Sequence, residues 1–415
     1  MACYIGFEFK RPVITYRHPT TRKELMNKKQ GIKTRAIHTG YEPESAFGSL
    51  APPIYSTATF AYKSAEDAAA RFAQEEDGYI YTRWGNPTNA IFETKLADLE
   101  GGEAALSTAS GMAAISTAIL TCVRQGDHVI AGQTLYSATQ TFLAKRAQKL
   151  GIEVTFVDQA EPKKFTNAIR PNTRLIYLES PGNPTLKLTD LAAMAAIADE
   201  KGIMTIADNT FSTPINQRPL ELGVNAVVYS ATKYLGGHGD LVGGAIVGSQ
   251  EFIERVWPVL IELGGTLSPF NGFLLARGMQ TLPLRMKAHN ETALCIAQFL
   301  EEHPEVRKVV YPGLETHPQH KLACKQMTGF GGMICIEVSD IEKGRRIMNS
   351  VKLCTLTVSL GDVKTLICHP ASMTHSKVPK DLREQAGVTD GLIRISVGIE
   401  DVEDLKEDLD QALRA

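Results

Sequence analysis

The sequence predicts an α/β fold, a large domain built on a mainly parallel sheet with a smaller C-terminal α+β domain after it. Three observations carry that expectation. From about residue 104, short apolar runs alternate with helix-forming stretches, the pattern of a sheet wrapped by crossover helices. Most of these runs are apolar on both faces, as strands of a buried parallel sheet are. After Ser268-Pro269 the alternation changes to a long helical stretch followed by fewer strands, which sets off a second unit.

Taken in order, the first 35 residues carry nine Lys/Arg against two Asp/Glu, a surplus of +7 that leaves about -9 for the remaining 380. This head reads as a loosely held arm. Its Tyr4, Phe7, Phe9 and Tyr16 also suit an arm that packs on a partner subunit. Asn86 followed by Pro87 reads as a helix cap with Pro in the first turn, and Gly101 closes that helix. Seven strand candidates follow: Glu103 to Ser107, His128 to Ala131, Glu153 to Val157, Leu175 to Glu179, Met204 to Asp208, Ala226 to Ser230 and Ala245 to Gly248. The stretch from Ser268-Pro269 to about Glu302 reads as long helix, and Gly332 to Val338 and Gly391 to Val397 as strands of the smaller domain. The expected boundaries are an N-terminal segment over 1–60, a large domain over 61–265 and a small one over 266–415.

Composition excludes several classes. The 415 residues sum to a formal charge of -2, which offers no long-range pull on nucleic acid or anionic lipid. The longest uncharged run, Ala104 to Val123, has the length of a membrane span but carries seven Ser, Thr or Gly residues between Ser107 and Thr121, so it reads as buried strand plus helix. Seven cysteines, with no CxxC pair, suit a reducing cytosol better than a disulfide or zinc scaffold. His317 and His320 stand two residues apart with no third ligand nearby, and no catalytic metal is expected.

Ligands of a parallel α/β sheet gather at the carboxyl ends of its strands, and four ends carry chemistry. The first strand runs into Thr108-Ala109-Ser110-Gly111-Met112, a small-residue turn opening a helix whose amides are free to hold an anion. Asp208 ends another strand in a setting with little charge, where a buried acid needs a cationic partner. The neighbouring strand ends in Ser230-Ala231-Thr232-Lys233-Tyr234, two hydroxyls and a lysine in a glycine-rich loop, where an amine loses its proton readily and suits Schiff-base formation with an aldehyde. Tyr136 follows the strand ending at Ala131 and offers a ring to stack on a flat heterocycle. Anion cradle, amine, buried acid and aromatic face are together what pyridoxal phosphate requires, since its ring nitrogen must stay protonated for the ring to serve as an electron sink.

The segments Tyr81 to Thr88 (YTRWGNPT), Ser110-Gly111-Met112, Asp208-Asn209-Thr210, Ser230 to Tyr234 and His369 to His375 (HPASMTH) resemble the pyridoxal-phosphate enzymes of cysteine and methionine metabolism, from about Lys33 to the end. The resemblance implies a fold type I, aspartate-aminotransferase-like architecture with a seven-stranded sheet, and a homotetramer of tight dimers. It implies that Lys233 bonds the cofactor aldehyde, Asp208 faces the ring nitrogen and Tyr136 stacks on the ring. Gly111, Met112, Ser230 and Thr232 would hold the phosphate, with Tyr81 and Arg83 reaching in from the neighbouring subunit. Arg394 would grip the substrate carboxylate, with Ser359 and Asn183 assisting.

Within that family, His238-Gly239-Asp240, Pro52 to Phe60 and His369 to His375 look most like methionine γ-lyases. Those enzymes typically carry a Cys two residues after the stacking Tyr, where Ala138 stands here, and a Lys-Asp pair where Leu260 and Ile261 stand. Ser268-Pro269-Phe270-Asn271 is similar to the homoserine-ester sulfhydrylases. The expected activity is γ-elimination on a sulfur amino acid in the cytoplasm, giving 2-oxobutyrate, ammonia and a thiol. The alternatives are cystathionine γ-lyase, or γ-replacement as an O-acylhomoserine sulfhydrylase or cystathionine γ-synthase. Gly237, Gly239 and Gly243 precede a strand rather than a helix, which argues against a dinucleotide fingerprint, and Ser230-Ala231-Thr232-Lys233 lacks the companion motifs of the penicillin-recognising enzymes.

Overall fold

The computed structural model describes residues 30–73, 75–373, 376, 380–385 and 387–415. The aromatic residues of the basic head, and Thr374 and His375, lie outside them. The large sheet consists of β1 (Ala104–Thr108), β2 (His128–Gly132), β3 (Glu153–Val157), β4 (Thr173–Glu179), β5 (Met204–Asp208), β6 (Ala226–Tyr229) and β7 (Gly244–Gly248). Their spatial order is β1-β7-β6-β5-β4-β2-β3, and β7 alone runs antiparallel to its neighbours. All seven coincide with the runs read from the sequence to within two residues at either end.

Burial on both faces explains why most of these runs are apolar, the edge strand β3 being exposed at Glu153 and half-buried through Phe156. Val129, Tyr177, Ile206, Val228 and Ile246 point into one layer, against Ala114, Ile115, Ala118 and Ile119 of helix Gly111–Cys122 and Phe252, Ile253, Val256 and Trp257 of helix Gln250–Leu263. Their chain neighbours Ile130, Ile176 and Ala207 face the opposite layer with Leu191 and Met194, while Val227, Ala245 and Val247 meet Phe92, Leu96 and Leu99. Adjacent residues of a strand thus enter opposite layers, and each fully buried Val, Leu or Ile contributes about 1.5–3 kcal/mol.

Helix Pro87–Glu100 begins and ends as its punctuation predicts. The Asn86 side chain accepts from Thr88 N–H, Pro87 occupies the first turn, and Gly101 takes φ 82° as the closing residue. The end of the basic head, read as a loosely held arm over the first 35 residues, is tied down where helix Ile32–His38 begins. Helix Ile32–His38 docks on helices Pro87–Glu100, Pro269–Gln280 and Leu282–Glu301. Arg35 pairs with Asp98 at 2.9 Å, and the buried Lys95 Nζ donates to the carbonyls of Ala36 at 2.6 Å and Ile37 at 3.1 Å. Burial pushes the Lys95 amine down to about 8, with Asp98 opposing.

The second sheet has order β10-β11-β12-β9-β8, formed by β8 (Lys308–Val310), β9 (Met333–Glu337), β10 (Thr355–Leu356), β11 (Leu366–Cys368) and β12 (Leu392–Ser396). Ile334, Ile336, Ile367, Ile393 and Ile395 pack with helices Leu282–Glu301, Ile341–Ser350 and Val402–Leu413. Arg394 lies between Cys368 and Cys335 in register, on the opposite face. The long helix expected to Glu302 is two helices joined at Thr281, because Pro283 in the second one's first turn has no N–H to continue the ladder.

Lys95→Met keeps the bulk but strips the donors from two helix-end carbonyls. The expected loss is about 1–3 kcal/mol in urea unfolding, with faster amide exchange over residues 30–39. An unchanged midpoint would remove the clamp.

Candidate active site

The site is assembled at the carboxyl ends of β1, β4, β5 and β6, and is closed by the segment before β11. Ser110 caps helix Gly111–Cys122 by accepting from Ala113 N–H at 3.1 Å. This leaves the amides of Gly111 and Met112 in the first turn, where no intrahelical acceptor exists. A Cβ on Gly111 would lie 2.7 Å from that of Ser230, so only glycine lets the turn sit against the end of β6. Ser230 N–H donates to the Thr210 hydroxyl at 2.9 Å. The Thr232 hydroxyl is engaged with Gly243, donating to its carbonyl at 3.1 Å and accepting from its amide at 3.0 Å. The Met112 sulfur accepts from the Thr139 hydroxyl at 3.8 Å.

Asp208, at the end of β5, is 7% exposed. Its nearest residue on β4 in register is Glu179, itself 5% exposed. Two carboxylates therefore lie buried on adjacent strands, and among the described residues no Lys, Arg or His pairs with either. Burial raises the Asp208 carboxyl, against hydrogen bonds from Thr210, whose N–H donates at 3.0 Å. Burial and then the neighbouring Asp208 charge raise that of Glu179. A cation seated against this pair would relieve both penalties.

Lys233, in the turn after β6, sends its Nζ to the Ser359 hydroxyl at 2.9 Å rather than to Asp208. Burial pushes the amine down to about 8, with the Arg394 charge adding to the effect. Arg394 donates through Nη1 to Asn183 Oδ1 at 3.0 Å and through Nη2 to the carbonyls of Val358 at 2.7 Å and Ser359 at 3.1 Å. Among the described residues its Nε is buried with no hydrogen-bond partner. Ser359 thus touches both cations, the lysine with its side chain and the arginine with its backbone. Gly361, at φ 74°, lets the strap approach so closely that a Cβ there would meet Tyr234 N at 2.6 Å.

Tyr136 anchors its backbone N–H on Glu179 Oε2 at 2.9 Å and leaves its side chain 44% exposed. The structure therefore gathers Lys233, Ser359, Arg394 and Asn183 in one chain of contacts, and Gly111, Met112, Ser230 and Thr232 around the helix start. Tyr81 and Arg83 stand apart. Arg83 donates to the Ile261 carbonyl at 2.5 Å and lies over the Tyr81 ring at 5.5 Å; among the described residues neither hydrogen-bonds to Lys233, Asp208 or the helix start. His317 and His320 bond their own surroundings, Gln319 N–H and the Pro312 carbonyl. The sequence reading passed over Glu179, although it ends β4 as Asp208 ends β5.

The residues present fit a flat cationic heterocycle carrying a phosphate and an aldehyde: uncompensated buried carboxylates, an open helix start and an amine eased toward neutrality. Such a set of groups at the strand ends of an α/β domain is the kind of site a pyridoxal-phosphate enzyme uses. The chain belongs to the Cys/Met metabolism PLP-dependent enzyme family, whose model matches residues 33–414, and pyridoxal 5'-phosphate is its cofactor. It is 50% identical over 396 residues to an L-methionine gamma-lyase of Porphyromonas gingivalis, covering 94% of this chain and 98% of that protein. It is 47% identical to a cystathionine gamma-lyase of Bacillus subtilis, covering 92% and 98%. Among solved structures it superimposes on metB from Corynebacterium glutamicum with TM-score 0.88 and 41% identity, over 93% of this chain and 98% of that one.

Because burial lowers its pKa to about 8, the Lys233 amine is uncharged above about pH 8 and protonated below. Bond formation between cofactor-free protein and pyridoxal phosphate, read as visible absorbance, should quicken about tenfold per pH unit below 8 and level off above it. A rate still climbing at pH 10 would contradict the shifted amine.

Proposed function

We propose that the protein is a PLP-dependent γ-lyase of sulfur amino acids, methionine γ-lyase-like, releasing 2-oxobutyrate, ammonia and a thiol. The observation that carries this reading is the double engagement of Ser359, by Lys233 at 2.9 Å and by Arg394 at 3.1 Å. An amino acid whose carboxylate is held by Arg394 presents its Cα hydrogen toward Lys233. The names of the relatives at 47–50% identity point the same way, five of those within that range being L-methionine gamma-lyases.

When bound, pyridoxal phosphate supplies the electron sink that acidifies the carbons beside the amino group. The chain supplies the rest. Lys233 removes the Cα proton and delivers protons along the side chain. Asp208 would keep the ring nitrogen protonated, and Tyr136 would stack on the ring and give a proton to the departing sulfur. Gly111 and Met112 amides with Ser230 and Thr232 would hold the phosphate. Arg394 grips the carboxylate as a fork, its geometry set by Asn183 and the strap at Ser359.

Tyr81 and Arg83 complete the phosphate site from a second copy, in a homotetramer of dimers. Support comes from the exposed apolar residues Phe47, Leu50, Ile54, Tyr55, Leu263 and Phe270, a surface that water disfavours. We place the large cofactor-binding domain at 61–265 and the small domain at 266–415, and the protein in the cytoplasm, since all six described cysteines are free. A second reading, γ-replacement on a homoserine ester, draws on Ser268 to Asn271.

Methionine, cystathionine, cysteine, and O-acetylhomoserine with sulfide, assayed separately for 2-oxobutyrate, pyruvate and new thioether, rank these readings. Methionine should yield 2-oxobutyrate; reaction of the ester and sulfide alone would establish replacement. Lys233→Ala should lower turnover by about 10²–10⁴ or more, and retained turnover would remove the lysine from its role. Arg394→Lys should raise KM for methionine roughly ten- to a hundredfold with kcat less affected; an unchanged KM would place the carboxylate elsewhere.

A further inference from the structure

Glu179 is a buried acid that the proposed mechanism does not use. Its two oxygens take different partners: Oε2 accepts from the backbone N–H of Tyr136 at 2.9 Å, and Oε1 from that of Asn183 at 2.9 Å. Tyr136 opens the short helix Ser137–Thr141, so its amide fixes where the ring enters the site. Asn183 holds Arg394 Nη1 through Oδ1 at 3.0 Å. One carboxylate therefore ties the face that stacks on the cofactor to the hand that grips the substrate.

The chemistry of the position explains why it is an acid despite the cost. Two N–H groups arriving at two separate oxygens require two acceptors. Glutamine offers one oxygen and turns an NH2 donor toward the other N–H. An apolar residue would leave two buried donors unsatisfied. Placing a second carboxylate in register with Asp208 is electrostatically unfavourable, and a strand end needing only stability has no use for it.

We propose that Glu179 is a positioning residue that sets the stacking tyrosine and the carboxylate-gripping arginine in register with each other. The inference rests on the roles proposed above for Tyr136, Asn183 and Arg394. It differs from a purely structural role in demanding that cofactor binding and amino-acid binding weaken together.

The test uses full-length Glu179→Gln, with Tyr136→Leu and Arg394→Lys beside it. Pyridoxal phosphate is titrated into cofactor-free protein, and glycine, which has no γ-substituent to lose, into the reloaded protein. Both dissociation constants are read from absorbance, and unfolding in urea is measured in parallel. For Glu179→Gln both constants should rise about tenfold, the weight of one hydrogen bond to a charged group, in a protein that still unfolds cooperatively. Tyr136→Leu should move chiefly the cofactor constant, and Arg394→Lys chiefly the glycine constant. If these two behave so while Glu179→Gln shifts one constant alone, or only the urea midpoint, the positioning role is overturned and the reading of the site stands. If neither Tyr136→Leu nor Arg394→Lys moves its constant, the reading of the site falls and the inference with it. Should Glu179→Gln fail to fold, Glu179→Asp, which keeps the charge but shortens the reach, should weaken both constants by a smaller factor; an unaltered pair of constants there overturns the proposal equally.

Discussion

Two carboxylates held side by side out of water, with no Lys, Arg or His paired to either among the described residues, are the constraint around which the candidate active site is organised. Asp208 and Glu179 occupy register-matched positions on β5 and β4, and both are more than nine-tenths buried. Burial raises both carboxyls, and the Asp208 charge raises that of Glu179 further. Such an arrangement is costly unless something else is served by it. In the proposed account the cofactor's ring nitrogen provides the missing positive charge at Asp208, while Glu179 spends its oxygens on the backbone amides that aim the surrounding side chains. The sheet makes this possible, since parallel strands bring successive carboxyl ends to one edge and the apolar layers on both faces hold them there.

The second sheet contributes reach. Arg394 sits on the face of β12 opposite Ile393 and Ile395, which are committed to the small hydrophobic layer. The strap carrying Ser359 crosses to the lysine turn, and Gly361 permits the close passage against Tyr234. Lys233 and Arg394 are thereby fixed to one serine, and burial, with the Arg394 charge adding to it, brings the lysine amine down to about 8. In the proposed account, substrate grip and proton-transfer group are set by the same short segment.

Much of this was legible in the residues, for physical reasons that also mark where legibility stops. Strands buried on both faces write themselves as continuous apolar runs, so β1 to β7 could be read directly. The strands β8, β10 and β11 span only two or three residues, too short to show any periodicity. Pro283 split a helix that the surrounding helix formers had joined. In the site, Lys233 and Asp208 announced themselves as charged residues at apolar strand ends. Glu179 stood in the same place on β4 and carried the same signal, but its significance lies in which backbone amides fold back on it, and a loop's path is not written in spacing. Arg394, Ser359 and Asn183 come together from far apart in sequence, and only resemblance to a family named them beforehand. The basic head remains a matter of sequence alone, whereas residues 30–39 proved to be clamped by Lys95 and Arg35.

The central claim is that Asp208, in its cation-free pocket, keeps the ring nitrogen of the bound cofactor protonated. Nitrogen-15 NMR of the protein loaded with pyridoxal phosphate labelled at that nitrogen measures this directly. The account predicts a protonated nitrogen in the wild type from pH 6 to 9 and an unprotonated one in Asp208→Asn. An unprotonated nitrogen in the wild type at neutral pH would contradict it.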